Sequence, residues 1–588
     1  MVSAYRVDSL RNPTTALQEF YRESNGATSE NFPRLVSEHY ARVFRAPDAF
    51  NEIPTLDLRN LPDTFPDRAL VRFRAMVQDT SPSSEMYLCK SEDGNCGGWG
   101  INTEEDSEGA IDYANLKECA VFWAVSVPAE SRWCGEELDG PYDYQERPVA
   151  SSSRLPYKPQ NAHKYPHASA SHLGVQIKIY DTDASEKLKS TDVVTFIGIL
   201  TSESSVSLSY SPTDFLTART APSSQNNGLE VTAEVPTLHV LFTRPHPGTL
   251  LSRPYPLSDA QDDTMQKSEA AACKSRASQV RSELIEWMAE EALGGDRQAA
   301  EWVLLASIAR VQSRNPPLLP LSLTLSHFPT PPPAPSTSST LPLPLPTISA
   351  VLEQILPLTH TLPLSLDVLN KEPFVPESKD EDLHAGALQL PQGTVLLVTE
   401  AGVKEGKLID RGVLNIRALQ EVISTQTLAY TFPYSQFSFP TDITCIVLSE
   451  GSKSAFFKAS YDAILLSINL TWYLQTDICV PLQGTPTDMA GRYYKPGESV
   501  RLPPPEKLAA FRNLVVGARA GKVKVSEETS EYIQQDFVRD RQQDSSITSD
   551  DLIRRMTVAR LYALSLHETS LSIDVWESAK RLDEQRRA

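Results

Sequence analysis

Two apolar runs organise the reading of this chain. Thr394-Val395-Leu396-Leu397-Val398 stands behind a Pro-Gln-Gly turn, and Ile443-Thr444-Cys445-Ile446-Val447-Leu448 follows some way on. Each is short, free of charge and rich in β-branched residues, which predicts strands buried on both faces. The first ends in Thr399-Glu400 and the second in Ser449-Glu450. Between them Asn415 to Gln426 carries helical spacing, and Tyr430 to Phe439 reads as a hairpin.

Elsewhere the period changes. In RALVRFRAMVQDT (68–80), Val71, Phe73, Ala75 and Val77 alternate with Arg72, Arg74, Met76 and Gln78, which predicts a half-exposed strand. VQIKIYD (175–181) and the run Asp192 to Leu200 add strands, with Gly198 inside the second. Strand sets of this kind with an internal glycine fit a small β-barrel of OB type. The intervening 81–170 is rich in Gly, Ser, Pro and Tyr and is expected to be largely loop, while Thr237 to Phe242 reads as a later strand.

Helical spacing first appears around Ala16 to Tyr21 and from Phe32 to Phe44, until Pro54, Pro62 and Pro66 end it. It returns over 268–311, where Val280, Leu284, Trp287, Met288 and Leu293 share a face and Gly294-Gly295 stops the first helix. Near the C-terminus, Ser526 opens a helix through Asp540. Thr548-x-x-Asp551 then predicts a capping box, and Ser572 caps a last helix. The tract 314–346 concentrates proline and reads as linker or loop.

Composition narrows the function classes. The 588 residues suffice for several domains. A net charge of −20 argues against a general grip on nucleic acid, which needs a basic face to release counterions. The longest apolar run, Ala463 to Leu474, is broken by Ser467, Asn469 and Thr471, so no membrane span is expected. Seven scattered cysteines and an N-terminus without an apolar signal core point to a reducing, intracellular setting.

The order strand, helix, hairpin, strand over 386–454 resembles a P-loop ATPase of the MCM helicase type with its chemistry removed. Where such an ATPase ends its strand in an acidic pair that holds Mg²⁺, this chain has Thr399-Glu400. No Gly-x4-Gly-Lys-Ser/Thr loop is present. Gly402 to Leu408 is one residue short and lacks the metal-binding hydroxyl, and Leu321 to Pro329, at the expected place, has no glycine whose amide could approach phosphate. A lone Glu400 reads as a solvated strand end. Cys89, Cys96, Cys119 and Cys134 are spaced C-x6-C and C-x14-C, unlike the C-x2-4-C pairs of zinc sites, and are expected as free thiols. His567-Glu568 lacks a second histidine at helical distance, and Asn469-Leu470-Thr471 is a sequon without consequence in a reducing compartment. No catalytic residue, metal or cofactor is assigned.

LVRFRAMVQD (70–79), IKIYD (177–181) with DVVTFIGILTSE (192–203), and the long block 536–587 together resemble the MCM-binding protein family. The resemblance spans most of the chain and fades near 329–346 and over 455–505. It implies a fold class of α+β / α/β, multidomain: an N-terminal helical segment (1–66), an OB-type β-barrel with a long loop insertion (67–250), a helical segment (268–313), the Pro-rich linker or loop (314–346), a degenerate AAA+-like core (347–505) and a helical lid (506–588). It also implies a non-enzymatic nuclear partner of MCM helicase subunits. Such a protein touches chromatin only indirectly, promotes release of the MCM complex from chromatin, aids subunit supply and is linked to sister-chromatid cohesion. Candidate partner-binding residues are Arg72 and Arg74 on the barrel strand, and Asp550, Asp551, Arg554, Arg555 and Arg560 on the lid. The bland alternative for the arginines is a solvated face. The rival functions are an active MCM-type ATPase or helicase subunit, or a single-stranded DNA-binding OB protein.

Overall fold

The computed structural model describes residues 2–24, 31–90, 95–101, 113–139, 161–167, 170–205, 233–257, 267–332, 344–380, 382–400, 406–450, 457–459, 474–483 and 490–586. Contacts divide the chain into two compact units, one of residues 1–127 and 144–246, the other of 128–143 and 247–588. Both mix helices with sheets.

In the first unit six strands form one sheet: β1 (Leu70–Asp79), β2 (Glu85–Leu88), β3 (Leu116–Ser126), β4 (Gly174–Ile179), β5 (Val193–Ser205) and β6 (Ala233–Pro245). The order is β1-β5-β6-β4-β3-β2, and β1 also pairs β3, so five strands close on themselves. All pairs are antiparallel except β4 with β6. Gly198 sits at a bulge between β5 and β6. A Cβ there would lie 2.2 Å from the His239 carbonyl oxygen, which accounts for the glycine.

Within 81–170, expected to be largely loop, β3 pairs with β1, β2 and β4, while 91–94, 102–112, 140–160 and 168–169 lie outside the described residues. One expectation is corrected: β1 is not half-exposed, since of its residues only Arg74 escapes full burial. Helices α1 (Val2–Arg11), α2 (Pro13–Glu23), α3 (Phe32–Val43) and α4 (Pro47–Asn51) belong to this unit. Leu17, Phe32, Val36 and Tyr40 from α2 and α3 share a core with Leu70, Ile199 and Phe242 of the barrel. The outer face is thereby taken from water. The inner core holds Val71, Phe73, Ala75 and Val77, the residues whose alternation marked the strand.

The second unit is built on a wholly parallel sheet: β7 (Leu323–Ser326), β8 (Thr359–Pro363), β11 (Thr394–Thr399), β14 (Ile443–Leu448) and β15 (Ile478–Pro481), in the order β8-β11-β14-β7-β15. A smaller sheet joins β9 (Glu377–Lys379), β10 (Asp382–His384), β12 (Thr427–Phe432) and β13 (Ser435–Pro440), the last two being the expected hairpin. Period two decides what each face of the main sheet meets. Val395, Leu397, Ile446 and Leu448 enter one core, and Leu396, Val398, Cys445 and Val447 the other.

The first core is closed by α5 (Lys267–Ala292), α6 (Arg297–Ile308), α7 (Thr347–Ile355) and α9 (Pro505–Ala520), and the second by α8 (Asp410–Thr425) and β12. Burial on both faces explains why β11 and β14 read as unbroken apolar runs. β7 lies between β14 and β15, so the tract 314–346 contributes a central strand rather than serving only as linker; residues 333–343 lie outside the described residues. The C-terminal helices are α10 (Glu527–Gln543), α11 (Ser549–Ser565) and α12 (Ile573–Gln585). Their caps are made by Ser526, Thr548 and Ser572, with the capping box at Thr548 and Asp551 complete.

Candidate functional site

In a parallel sheet the carboxyl ends of the strands carry the ligand crevice. Here those of β7, β11 and β14 are tied together by backbone: Ser449 N–H donates to Leu325 O (2.9 Å), Phe328 N–H to Ser449 O (2.8 Å) and Glu400 N–H to Leu448 O (3.2 Å). Thr399, Glu400 and Ser449 are all buried. The Ser449 hydroxyl has no hydrogen-bond partner among the described residues. Glu400 is therefore not the solvated strand end anticipated. Gly402 to Lys404, part of the glycine-bearing turn, lies outside the described residues.

After β7 the chain turns through His327 at φ 58° into a buried aromatic group. Phe328 meets Tyr493 edge-on at 5.4 Å between ring centroids and Tyr494 at 6.1 Å. The Tyr494 hydroxyl donates to Pro329 O at 2.8 Å, and burial holds this phenol well above its usual range. Thr347 at the start of α7 grips the same segment: its hydroxyl donates to Arg492 O (3.3 Å) and accepts from Lys495 N–H (2.7 Å). Lys495 then reaches Glu291 at 2.8 Å. The described residues that follow β7 thus pack against two tyrosines through Phe328 and Pro329. Sequence inspection missed this group because Phe328 and Tyr493 are far apart in the chain.

On the lid, α10, α11 and α12 are joined through a buried charge network. Asp536 accepts from the Trp576 indole (3.1 Å) and Lys580 (3.0 Å), and Lys580 also reaches Asp540 (2.8 Å). Arg555 pairs with Asp540 at 2.6 Å and approaches Asp583 at 3.7 Å, while Asp583 takes Arg586 at 2.6 Å. Burial pushes the Asp540 carboxyl up, but hydrogen bonds from Lys580 and Arg555 outweigh it and hold the carboxyl below its usual range. Asp551 is buried in the capping box and pairs with Arg554. Arg560 is half-buried. Of the five lid candidates, only Asp550 is fully exposed.

The barrel arginines are likewise not a solvated face. Arg72 is buried; its guanidinium donates to Thr55 Oγ1 (2.9 Å) and Asn51 Oδ1 (3.3 Å) and lies 5.1 Å from the Phe50 ring centroid. Arg74 is half-buried. The barrel aromatics pack on one another: Trp99 lies against Tyr180 at 4.4 Å with the rings tilted by 31°, and its indole donates to Val240 O at 2.9 Å.

Cys89, Cys96 and Cys119 are free and buried in this unit, and Cys134 is buried in the other. The Cys96 thiol donates to Gly97 O at 3.3 Å, and burial raises it to about 12 and that of Cys119 to about 11.

The family model described as mini-chromosome maintenance replisome factor matches residues 40–158 and 144–588. Proteins called mini-chromosome maintenance complex-binding protein align along the chain. The one from Arabidopsis thaliana is 26% identical over 94% of this chain and 93% of its own length, and that from Salmo salar 27% over 99% and 97%. The Homo sapiens protein is 30% identical over 60% of this chain and 51% of its own. With a match reaching from residue 40 to residue 588, the chain belongs to the mini-chromosome maintenance replisome factor family.

Proposed function

We propose that this chain binds MCM helicase subunits as a subunit mimic that acts by contact and performs no nucleotide chemistry. The names of the relatives support the MCM-binding half of this reading. The barrel supports the likeness to a subunit: counted in chain order without β2, its strands run 1-4-5-3-2 and close, with the third and fifth parallel, as an OB fold requires. The parallel sheet supports it too. Its chain-order sequence 2-3-4-1-5 is that of an ATPase core, with Thr399-Glu400 and Ser449-Glu450 ending the third and fourth strands.

The observation that carries the non-catalytic half is the Phe328, Tyr493 and Tyr494 group at the end of β7. Phosphate binding needs converging amide N–H groups in that place, and apolar rings offer none.

ATPase rings are held by heterologous contacts. A neighbour that brings no triphosphate or metal leaves the shared interface without its bridge, and a ring containing it is weaker or open. That is a physical route to release of the MCM complex from chromatin, with sister-chromatid cohesion and subunit supply depending on it. Action on that complex places the protein in the nucleus, in touch with chromatin only through MCM. The test is a pull-down of recombinant MCM subunits with and without ATP, alongside ATP calorimetry on the chain alone. Equal capture in both conditions and no heat of ATP binding are expected. Turnover that disappears in Glu400→Gln would instead identify an active ATPase.

A further inference from the structure

The open end of the Pro317–Leu321 segment, the C-terminal turn of α8 and the first two turns of α11 enclose a cleft of about 410 Å³. Its apolar lining includes Leu318, Leu319, Ile423 and Ile553. Ile553 is 57% exposed, on a helix whose Asp551, Arg555, Val558 and Ala559 are buried. The rim is acidic. Asp550 has no cationic partner among the described residues, and exposed Asp477 accepts only from Ser322 N–H (2.8 Å) and Ser322 Oγ (2.7 Å). Among the described residues of the lining the one cation, Arg554, is already paired with Asp551.

We infer that this cleft is the docking groove for an amphipathic helix of the partner, one with an apolar ridge and at least one lysine or arginine beside it. The inference rests on the MCM-binding reading and names the surface that reading leaves open. Charge complementarity selects the occupant. Leu318, Leu319 and Ile553 take the ridge of a helix, beside the polar Gln420, Ser424 and Thr557. Two unneutralised carboxylates on a chain of net charge −20 favour a basic neighbour and repel a second copy of the same acidic surface. The groove also gives different duties to four of the five lid candidates: Asp550 and Arg554 line it, whereas Asp551 and Arg555 hold the helix that presents it.

The test uses the full chain and recombinant MCM subunits as probe, with affinity read at two salt concentrations. Ile553→Asp is expected to weaken binding about tenfold or more, because a polar group replaces apolar contact in the groove. Asp550→Lys is expected to weaken binding and to flatten its dependence on salt. Asp574→Lys is the control: it also removes an exposed first-turn acid, but from α12, outside the groove, and should bind as wild type. If the wild type binds and both groove variants bind equally well, the groove is overturned and the MCM-binding reading stands. If the wild type captures no subunit, both fall. If light scattering shows that Ile553→Asp turns a dimer of the chain into a monomer, the occupant is a second copy and the inference is wrong.

Discussion

Replacing Arg555 by Met keeps most of the side-chain volume and removes the charge that links α11 to α10 and α12. The guanidinium is 8% exposed, Asp540 14% and Asp583 2%, so the pair is screened little by solvent. Breaking a buried ion pair costs about 3–5 kcal/mol when the remaining charge is stranded. Here neither carboxylate is stranded, since Asp540 keeps Lys580 and Asp583 keeps Arg586. The cost should therefore lie at the low end, about 3 kcal/mol.

A chain with two compact units has no single unfolding free energy. Hydrogen exchange of the lid amides is the better assay, since it reports sub-global opening. A loss of about 3 kcal/mol corresponds to protection lowered roughly a hundredfold across α10–α12. The sign of the pH dependence follows from Asp540, whose carboxyl is depressed in the folded state. Its stabilising contribution is complete above the ordinary carboxylate value and is lost as pH falls through the folded one. The Arg555→Met deficit should thus be constant from neutrality to about pH 5 and shrink below about pH 4. Lid protection within threefold of wild type at neutral pH would refute a structural role for Arg555 and return it to the partner surface.

Thr548→Ala removes the N-cap of α11 and should cost about 1 kcal/mol, with exchange rising first in the opening turn of that helix. Gly198→Ala must push against the His239 carbonyl oxygen 2.2 Å away; a loss of about 2 kcal/mol or more in barrel stability is expected in urea, where a shift under 0.5 kcal/mol would contradict the bulge argument. Among the described cysteines, half-exposed Cys479 should react with a thiol reagent in the folded protein, while Cys96, Cys119 and Cys445, whose thiols burial pushes up, should react only on unfolding.

Legibility in the sequence followed how local each signal was. Caps at Ser526, Thr548 and Ser572 were readable because capping is settled within four residues. β11 and β14 were readable because burial on both faces leaves an unbroken apolar run. β1 was placed correctly but its exposure was misjudged: Asn51, Thr55 and the Phe50 ring cover Arg72, and Trp123 and Tyr165 cover Met76, contacts that no local pattern announces. β3 was lost because Gly- and Ser-rich neighbours diluted an eleven-residue strand that pairs with β1 from the far side of a long insertion. At the candidate site, the missing glycine loop was legible, but the rings that stand there were not. Nor was the fate of the arginines, since amphipathic spacing cannot tell a solvated charge from one such as Arg555 that meets carboxylates on two other helices.

The position of β7 has a consequence for how the protein is made. It is the earliest strand of the parallel sheet to leave the ribosome, yet its two hydrogen-bonding neighbours are β14 and β15. At about 5–20 residues per second, Leu323–Ser326 waits on the order of ten seconds for β14 to emerge. During that interval an apolar segment with open edges has α5, α6 and then α7 to lean on but neither neighbouring strand to pair with, a condition that favours aggregation of the nascent chain.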